Sequence, residues 1–338
     1  MTYKLASDAL NFPEKTSYQP LVQVKDLRKH FPVKKGLFGK QGIIRAVDGV
    51  SFEIREGEVL GLVGKSGCRK STLGRTILRL HEPSEGQILF SGRDITHLSW
   101  RELRSLRTEM QLIFQDPYAS LNPRQTVRQI LGLPLRLHFE MTEAEREQRV
   151  HELMQQVGIA PKWARYYPHQ FSGGQCQRIG IARTLAVNPC FIVADEPVAA
   201  LDVSIQAQII NLLKHLQQEL DLTYLFIAHD LAVISQMSDR IAVMYLGKIV
   251  EIGQRDQIID SPKHPYTQVL LESVLEVSED AGSKRLPLAG EVPSAVNPPS
   301  GCRFHPRCPL TVVDACRKQE PELRDLGEGQ LVACHLAQ

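Results

Sequence analysis

The stretch EVLGLVGKSGCRKST, Glu58–Thr72, decides the fold. Its apolar part, Val59–Val63, carries no polar side chain on either face, which is typical of a central parallel strand that is buried on both sides. A glycine-bearing loop follows this strand, and the pattern predicts that a helix begins at Lys70. A strand, a glycine-rich loop and a helix in this order are typical of a phosphate-binding loop, in which backbone N–H groups and the N-terminus of the helix converge on an anion.

The predicted loop, called the phosphate loop below, consists of Gly64, Lys65, Ser66, Gly67, Cys68, Arg69, Lys70, Ser71 and Thr72. Lys70 is expected to supply a positive charge to the β- and γ-phosphates of a nucleotide, and Ser71 a hydroxyl to Mg²⁺. Arg69 departs from the pattern G-x-x-x-x-G-K-[ST], because it stands where the second glycine belongs. Glycine loops before helices are also common without a nucleotide, so this loop alone leaves the function open.

Outward from the phosphate loop, predicted strands and helices alternate. Cys190–Ala194 predicts a strand, a helix is expected from about Ser204 to Leu220, and Tyr224–Ala228 predicts another strand. This order favours a parallel α/β sheet with crossover helices. Earlier in the chain, residues 21–95 contain short strand patterns separated by glycine-bearing turns, whereas residues 124–158 carry helical signals, including a T-x-x-E capping box.

Composition excludes several classes of protein. The 338 residues are 43% hydrophobic and 23% charged, and 40 basic against 38 acidic side chains leave a formal charge of +2. These values are typical of a globular protein and exclude a disordered, collagen-like or strongly nucleic-acid-attracting chain. No run of 18 apolar residues and no signal-peptide pattern occurs, so we expect a cytosolic chain that does not span a membrane by itself.

Two carboxylates follow a second apolar strand, in FIVADEP, Phe191–Pro197. They stand at the carboxyl end of the strand, the edge at which open parallel sheets bind ligands. Asp195 is expected to hold Mg²⁺, and Glu196 to take a proton from an attacking water molecule. Many surface strands end in acids, so this pair alone is weak evidence.

The segment FSGGQCQRIGIARTLA, Phe171–Ala186, narrows the range of functions that the phosphate loop and the two carboxylates leave open. It resembles the signature LSGGQ of the ATP-binding-cassette (ABC) ATPases, with Phe171 in place of leucine. The matching residues, called the signature segment below, are Ser172, Gly173, Gly174 and Gln175. The resemblance implies that they cap the γ-phosphate of an ATP molecule held by the other subunit of a dimer.

The same resemblance gives further positions a role. Gln115 would touch Mg²⁺ and the attacking water and sense the membrane partner, and His229 would contact the γ-phosphate and orient Glu196. Asp202 would lie in the loop that crosses to the partner's site, although alone it is more typical of a helix N-cap. Phe31 would stack on adenine; the alternative is a partly buried aromatic side chain in the antiparallel strands.

A narrower resemblance covers the chain from about Leu21 to Cys334. Three stretches carry it: QDPYASLNPR (Gln115–Arg124), KHPYTQVLL (Lys263–Leu271) and PSAVNPPSGCRFHPRCP (Pro293–Pro309). They are similar to the ATP-binding subunits of bacterial dipeptide and oligopeptide permeases, particularly the F-type subunit. The last two stretches lie outside the generic cassette.

The fold class implied is α/β: a RecA-like P-loop ABC nucleotide-binding domain with an antiparallel β subdomain, a helical subdomain and a small cysteine-containing C-terminal extension. The expected boundaries are a flexible tail over 1–20, the ATPase domain over 21–260, its helical subdomain at about 120–178, and the extension over 261–338. Because proline and glycine become dense after Ser261, we expect the core to end near that residue.

Four of the seven cysteines, called the terminal cysteines below, are Cys302, Cys308, Cys316 and Cys334. In a reducing compartment they are not expected to form disulfides, and four thiolates in a short extension suit Zn²⁺ or an iron–sulfur cluster. The resemblance implies a [4Fe-4S] cluster. Zn²⁺ is the alternative, with His305 and His335 as substitute ligands, and unligated buried thiols are the third possibility.

The resemblance implies an ATPase that uses ATP and Mg²⁺ to energise import of dipeptides or oligopeptides. Expected partners are a second ATPase subunit, as a heterodimer, two transmembrane permease subunits and, indirectly, a periplasmic or extracellular binding protein, but no nucleic acid. The expected location is the cytoplasmic face of the inner (plasma) membrane, as a peripheral subunit. Three alternatives stay open: a weakly nucleotide-binding regulatory half, which Arg69 suggests, an importer of nickel or another small solute, and a soluble cassette protein of DNA repair or translation.

Overall fold

The computed structural model describes residues 20–34, 41–275, 293–310 and 313–337. The predicted N-terminal tail therefore lies outside the described residues, apart from residue 20. The strands are β1 (Val22–Lys34), β2 (Gln41–Ile54), β3 (Val59–Val63), β4 (Glu85–Phe90), β5 (Arg93–Asp94), β6 (Met110–Ile113), β7 (Phe191–Asp195), β8 (Thr223–Ala228), β9 (Arg240–Tyr245), β10 (Lys248–Gln254), β11 (Arg324–Asp325) and β12 (Leu331–Val332). The helices are α1 (Lys70–Ile77), α2 (Trp100–Leu106), α3 (Pro117–Ser120), α4 (Val127–His138), α5 (Glu143–Gln156), α6 (Gly173–Leu185), α7 (Val203–Leu220), α8 (Leu231–Met237), α9 (Arg255–Asp260), α10 (Pro265–Leu275) and α11 (Asp314–Lys318). Short 3-10 helices cover Pro161–Trp163, Pro168–Gln170 and His305–Arg307.

The main sheet has the strand order β11-β12-β10-β9-β3-β8-β7-β6. Strand β3 is parallel to both of its neighbours, β8 and β9, and β6, β7 and β8 are parallel to one another. Every residue of β3 is buried, as its two apolar faces predicted. The predicted α/β class is confirmed, and the carboxyl ends of β3, β6, β7 and β8 meet at one edge of the sheet.

A second sheet is antiparallel and has the order β2-β1-β4-β5. Its inward side chains, such as Val24 and Ile88, share one apolar core with Leu73 and Ile77 of α1. Helix α1 therefore packs between the two sheets, and this sandwich holds the first residues of the helix, and the loop before them, in place.

Helices α4 and α5 lie within the predicted helical subdomain, about 120–178, and α6 begins within it and continues to Leu185. Thr142 caps α5 as expected: the backbone N–H of Thr142 donates to Glu145 Oε2 at 2.7 Å, and Thr142 Oγ1 accepts from the N–H of Glu145. Apolar side chains of these helices, including Leu131, Leu153 and Ile179, join the core beneath the main sheet. The helical region is thus anchored to the same core that carries β7 and β8.

The C-terminal extension continues this core. Strand β12 pairs with β10 and so extends the main sheet, and Tyr266 and Phe304 are buried in the core cluster beneath it. The expectation that the core ends near Ser261 is therefore wrong. Dense proline and glycine predict an irregular backbone, but they do not decide whether the side chains between them are buried.

A buried carboxylate fastens the extension to β10. Glu251 Oε1 accepts hydrogen bonds from the N–H of Lys263 at 2.7 Å and from Gln330 Nε2 at 2.9 Å, and its Oε2 accepts from the N–H of His264 at 3.0 Å. Burial raises the pKa of Glu251 despite these donors.

A second attachment joins Arg303 to the buried Asp48 carboxylate of β2 and to the Leu246 carbonyl. Burial alone would raise the pKa of Asp48, but Arg303 and His30 together hold it below its ordinary value. The extension is therefore tied to both sheets by buried polar contacts.

His264 makes the extension acid-sensitive. Its ring is fully buried, its Nδ1 accepts from the N–H of Tyr266 at 3.0 Å, and burial lowers its pKa from 6.5 to about 3. A depressed pKa in the folded chain means that the stabilisation is complete above about pH 6.5 and is lost as the pH falls from there towards 3. The loss is about 1.4 kcal/mol per pH unit in this window.

We expect the free energy of unfolding to fall by about 2 kcal/mol more between pH 7.5 and pH 5 in the unchanged chain than in His264→Asn. The Asn carboxamide oxygen replaces Nδ1 as the acceptor but does not titrate. Glu251, whose raised pKa acts in the opposite direction, is present in both proteins and cancels in the comparison. Denaturant unfolding at the two pH values measures the difference, and parallel pH dependences would contradict it.

Among the described residues, no helix combines the length and apolar character needed to cross a membrane.

Candidate functional site

The phosphate loop joins β3 to α1, and α1 begins at Lys70 as predicted. A side chain at Gly64 would collide with the Met244 carbonyl oxygen, so the close approach of the loop to β9 requires glycine there. Gly67 has φ +88°, a conformation that side chains with a Cβ rarely adopt. These two glycines shape the loop that the sequence predicted between the strand and the helix.

Arg69 also adopts the left-handed conformation, with φ 70° and ψ 27°. It holds the N-cap position of α1, where its carbonyl accepts from the N–H groups of Thr72 and Leu73, and its side chain is exposed. The position at which the pattern calls for glycine therefore has the backbone geometry that favours glycine. A residue with a Cβ costs about 1–2 kcal/mol in this region.

Lys70 reaches back across the loop. Its buried Nζ donates to the Gly64 carbonyl at 2.7 Å and lies 3.6 Å from Glu196 Oε1. The positive charge of the phosphate loop is thus held between the first residue of the loop and the acid at the end of β7.

Ser71 and Asp195 form the predicted hydroxyl–carboxylate pair. Ser71 Oγ donates to Asp195 Oδ1 at 2.6 Å, and Asp195 is buried at the end of β7. Arg75, which the sequence reasoning missed, lies 3.3 Å from Asp195 Oδ2. It stands one helical turn after Ser71, so the i, i+4 spacing along α1 was the available signal.

Three predicted residues meet at one point, where the side chains of Gln115 and His229 converge on the Glu196 carboxylate. Glu196 Oε2 accepts from Gln115 Nε2 at 3.1 Å and lies 3.7 Å from His229 Nδ1. The three residues follow β7, β6 and β8 in turn, so the shared sheet edge brings them together. Glu196 has φ +48°, and its N–H donates to the Ile227 carbonyl at 3.0 Å, which fixes this left-handed residue to β8.

The signature segment begins α6. Ser172 is the exposed N-cap; its N–H donates to Gln175 Oε1 at 3.0 Å, and the two residues form a capping box. Gly174 is buried against Ile205 of α7, where a Cβ would collide. Within the described part of the chain, no hydrogen bond or ion pair joins this segment to the phosphate loop. The structure thus does not bring these two predicted nucleotide-binding elements together.

Asp202 and Phe31 have simpler surroundings. Asp202 is the N-cap of α7, but its side chain makes no capping hydrogen bond. The Phe31 ring, in β1, meets the His81 ring edge-on with centroids 5.7 Å apart, and Lys29 Nζ lies 4.8 Å from its centroid. The ring is half-buried, which fits the alternative of a partly buried aromatic, and adenine stacking stays a prediction.

All four terminal cysteines are free thiols. Burial, with a smaller effect of the three neighbouring thiols, raises the pKa of Cys302 to about 11, and burial also raises the pKa of Cys308 and Cys334. Among the described residues, which include all four, no three Cys, His, Asp or Glu side chains form a group that could hold a metal ion.

The two candidate substitute ligands are turned elsewhere. His305 Nδ1 and His335 Nε2 contact the backbone carbonyls of Cys302 and Gln319. In this arrangement the described side chains do not form a group that could hold the predicted iron–sulfur cluster or zinc ion.

Comparison with known proteins agrees with this geometry. A family model described as ABC transporter matches residues 47–199, and one described as oligopeptide/dipeptide transporter, C-terminal region, matches residues 250–316. The oligopeptide transport ATP-binding protein AppF of Bacillus subtilis is 53% identical over 94% of this chain and 98% of its own length. The dipeptide transport ATP-binding protein DppF of Escherichia coli is 46% identical over 95% of this chain and 96% of its own length.

Solved structures give the same result. The dimeric post-hydrolysis structure of the ATP-binding cassette MJ0796 with ADP and Pi has a TM-score of 0.62 at 32% identity and covers 69% of this chain and 98% of its own. The structure of cbiO1 from Clostridium perfringens, part of the ABC transporter complex cbiONQ, has a TM-score of 0.62 at 26% identity and covers 77% and 96% of the two chains. With relatives matched over almost their whole length, this chain belongs to the ATP-binding proteins of the oligopeptide/dipeptide ABC transporter family.

Proposed function

We propose that this chain binds and hydrolyses ATP to drive the import of dipeptides or oligopeptides. The observation that carries the proposal is the convergence of Lys70, Gln115 and His229 on Glu196 at the carboxyl edge of the main sheet. This arrangement combines a phosphate-binding cation with a carboxylate that two polar side chains orient.

The phosphate loop would hold the nucleotide through backbone N–H groups, the N-terminus of α1 and Lys70. Ser71 and Asp195 would hold Mg²⁺; their hydroxyl and carboxylate oxygens are the ligands that this ion prefers. When bound, the ion would supply positive charge to the phosphates. Arg75 is a positioning residue for Asp195, because its guanidinium fixes the carboxylate oxygen that Ser71 leaves free.

Glu196 would act as the general base. One of its oxygens faces Lys70, and the other faces Gln115 and His229, which fixes the plane of the carboxylate. A water molecule held by Gln115 and Glu196 would give its proton to Glu196 as it attacks the γ-phosphate. His229 would contact that phosphate and steady Glu196 in its left-handed conformation.

Two cassettes, one from each ATPase subunit, would be needed for a complete site. The signature segment presents an exposed serine and the N-terminus of a 13-residue helix, and no hydrogen bond or ion pair among the described residues joins it to the phosphate loop of its own chain. These groups suit an anion supplied by a partner. We infer that this chain forms a heterodimer with a second ATPase subunit, and that Asp202 lies in the loop that crosses to the partner's site. The MJ0796 cassette, which is similar to this chain, is a dimer in its solved structure.

A groove of about 570 Å³ gives membrane subunits a place to dock. It is lined by Arg107, Phe114, Ala119 and Arg183, among others, and also contains Gln115. The Phe114 ring is exposed, with the Arg183 guanidinium 5.8 Å from its centroid. Gln115 belongs to both the groove and the Glu196 cluster. A permease subunit bound in the groove would therefore alter the contact between Gln115 and Glu196.

The substrate and the location rest on the relatives, which are described as oligopeptide and dipeptide transport proteins. We propose that the chain works at the cytoplasmic face of the plasma membrane with two permease subunits and, indirectly, a binding protein.

Proteoliposomes that contain the whole complex test the proposed transport function and its substrate. We expect ATP-dependent uptake of a labelled dipeptide that needs the binding protein, and no uptake of Ni²⁺. Uptake of Ni²⁺ alone would establish the alternative substrate, and no ATP hydrolysis by the complex would refute the function.

The iron–sulfur cluster, or zinc in its place, stays a prediction for the terminal cysteines. Its support is that the other three thiols are near enough to raise the pKa of Cys302. Against it, no three Cys, His, Asp or Glu side chains among the described residues form a group that could hold a metal ion. Iron, sulfide and zinc analysis of anaerobically purified protein, with Cys308→Ser as the control, decides between cluster, zinc and unligated thiols.

A further inference from the structure

The segment KHPY of the extension, Lys263–Tyr266, reaches the phosphate loop. Tyr266 is fully buried, and its hydroxyl accepts a hydrogen bond from the N–H of Lys65 at 2.9 Å. The same hydroxyl lies 3.8 Å from Cys68 Sγ. A residue 201 positions further along the chain thus contacts the second and the fifth residue of the phosphate loop.

This contact lies on the buried side of the loop. The N–H of Cys68 donates to the Lys65 carbonyl at 3.1 Å, so Lys65 and Cys68 close a turn. Tyr266 holds that turn from beneath, because its hydroxyl accepts the hydrogen bond that the Lys65 N–H donates. In the proposed function, other N–H groups of the loop would bind the phosphates.

Tyr266 is itself held on several sides. Its N–H donates to His264 Nδ1, and the N–H groups of Lys263 and His264 donate to the buried Glu251 carboxylate. Its ring packs on the Tyr245 and Phe304 rings, with centroids 4.7 Å and 5.4 Å away. Because the ring and the backbone are both fixed, the hydroxyl is held in one position, where it accepts the hydrogen bond from the Lys65 N–H.

We propose that Tyr266 is a positioning residue for the phosphate loop, and that the extension thereby sets the affinity of the chain for nucleotide. The inference rests on the proposed ATP-binding role of the loop. Without the hydroxyl, the turn from Lys65 to Cys68 has more conformations available, and the nucleotide must order it on binding. Once ATP is bound, the loop has the same geometry in both proteins, so the chemical step is unaffected.

The test is Tyr266→Phe, which removes the hydroxyl and leaves the ring. We expect the Kd for ATP and the KM for hydrolysis by the assembled complex to rise by about 2- to 12-fold, the range for one hydrogen bond, with kcat unchanged. The matched control is Tyr224→Phe. Tyr224 is also fully buried in this core, but its hydroxyl has no hydrogen-bond partner among the described residues.

A second measurement separates positioning from general destabilisation. Hydrogen exchange of a peptide that covers the phosphate loop, measured without nucleotide, is expected to accelerate in Tyr266→Phe and not in Tyr224→Phe. Unchanged Kd, KM and exchange in Tyr266→Phe would overturn the inference, as would an equal loss of affinity in both variants. If the unchanged chain bound no ATP, the proposed function would fail instead, so the two failures are distinguishable.

Discussion

Replacing Glu196 with glutamine is expected to lower ATP hydrolysis at this site by about 100- to 10,000-fold while ATP still binds. Glutamine keeps a carbonyl oxygen that can accept from Gln115 Nε2, which lies 3.1 Å from the present carboxylate. It cannot take up the proton of the attacking water. Because the phosphate loop and Lys70 are unchanged, the ATP-bound closed dimer should accumulate.

The measurement is turnover in the assembled complex with the partner's site disabled, together with ATP binding and sedimentation of the dimer. Glu219→Gln is the matched control, because Glu219 is an exposed residue of α7 and its replacement removes the same charge outside the convergent cluster. Unchanged turnover in Glu196→Gln would remove Glu196 as the base. A loss of ATP binding in that variant would show that the carboxylate, 3.6 Å from Lys70, holds the phosphate loop in shape.

A strand end indicated Glu196, and the family resemblance indicated Gln115 and His229; their roles stay predictions, but the structure places the three side chains together. Gln115, Glu196 and His229 each follow a strand of a parallel sheet, and parallel strands end at the same edge. The capping boxes at Thr142 and Ser172 are local as well, because the partner of each N-cap residue lies one helical turn further along the chain. In the two capping boxes the sequence spacing itself determines the contact, whereas the residues after the strands meet because those strands end at one edge of the sheet.

Contacts over long sequence distances could not be predicted in this way. The bond between Tyr266 and Lys65, and the pair of Arg303 with Asp48, join the extension to elements near the start of the chain. Their polar groups are complementary, but nothing in the intervening sequence indicates the pairing. The prediction that the core ends near Ser261 failed for the same reason, because the burial of Phe304 depends on rings that the fold brings to it.

Arg69 has two opposing effects on nucleotide binding, one steric and one electrostatic. With φ 70°, its backbone has the conformation for which glycine is preferred, and its exposed guanidinium adds a cation beside the loop. The steric cost of a Cβ there is about 1–2 kcal/mol. A charge-assisted hydrogen bond to a phosphate oxygen would return about 1.5–3 kcal/mol, so magnitudes alone do not decide the sign.

We expect the steric cost to win, because Lys70 already supplies the cation that the loop needs. We expect arginine to shift part of the population to loop conformations with negative φ, in which the N–H groups would not converge on phosphate. Arg69→Gly should therefore tighten ATP binding by about 5- to 30-fold, the equivalent of that cost, and raise turnover. In the unchanged chain, this site would then bind ATP weakly while the signature segment still completes the partner's site.

Arg69→Ala separates the two effects, because alanine keeps the Cβ in the left-handed region and removes the guanidinium. If the steric cost dominates, the Kd for ATP, measured by titration calorimetry, falls in Arg69→Gly and stays nearly unchanged in Arg69→Ala. If the guanidinium binds phosphate, Arg69→Ala weakens binding instead. An unchanged or weaker Kd in Arg69→Gly would mean that Arg69 is tolerated, and that both sites of the dimer turn over in the ordinary cycle rather than one site serving a regulatory role.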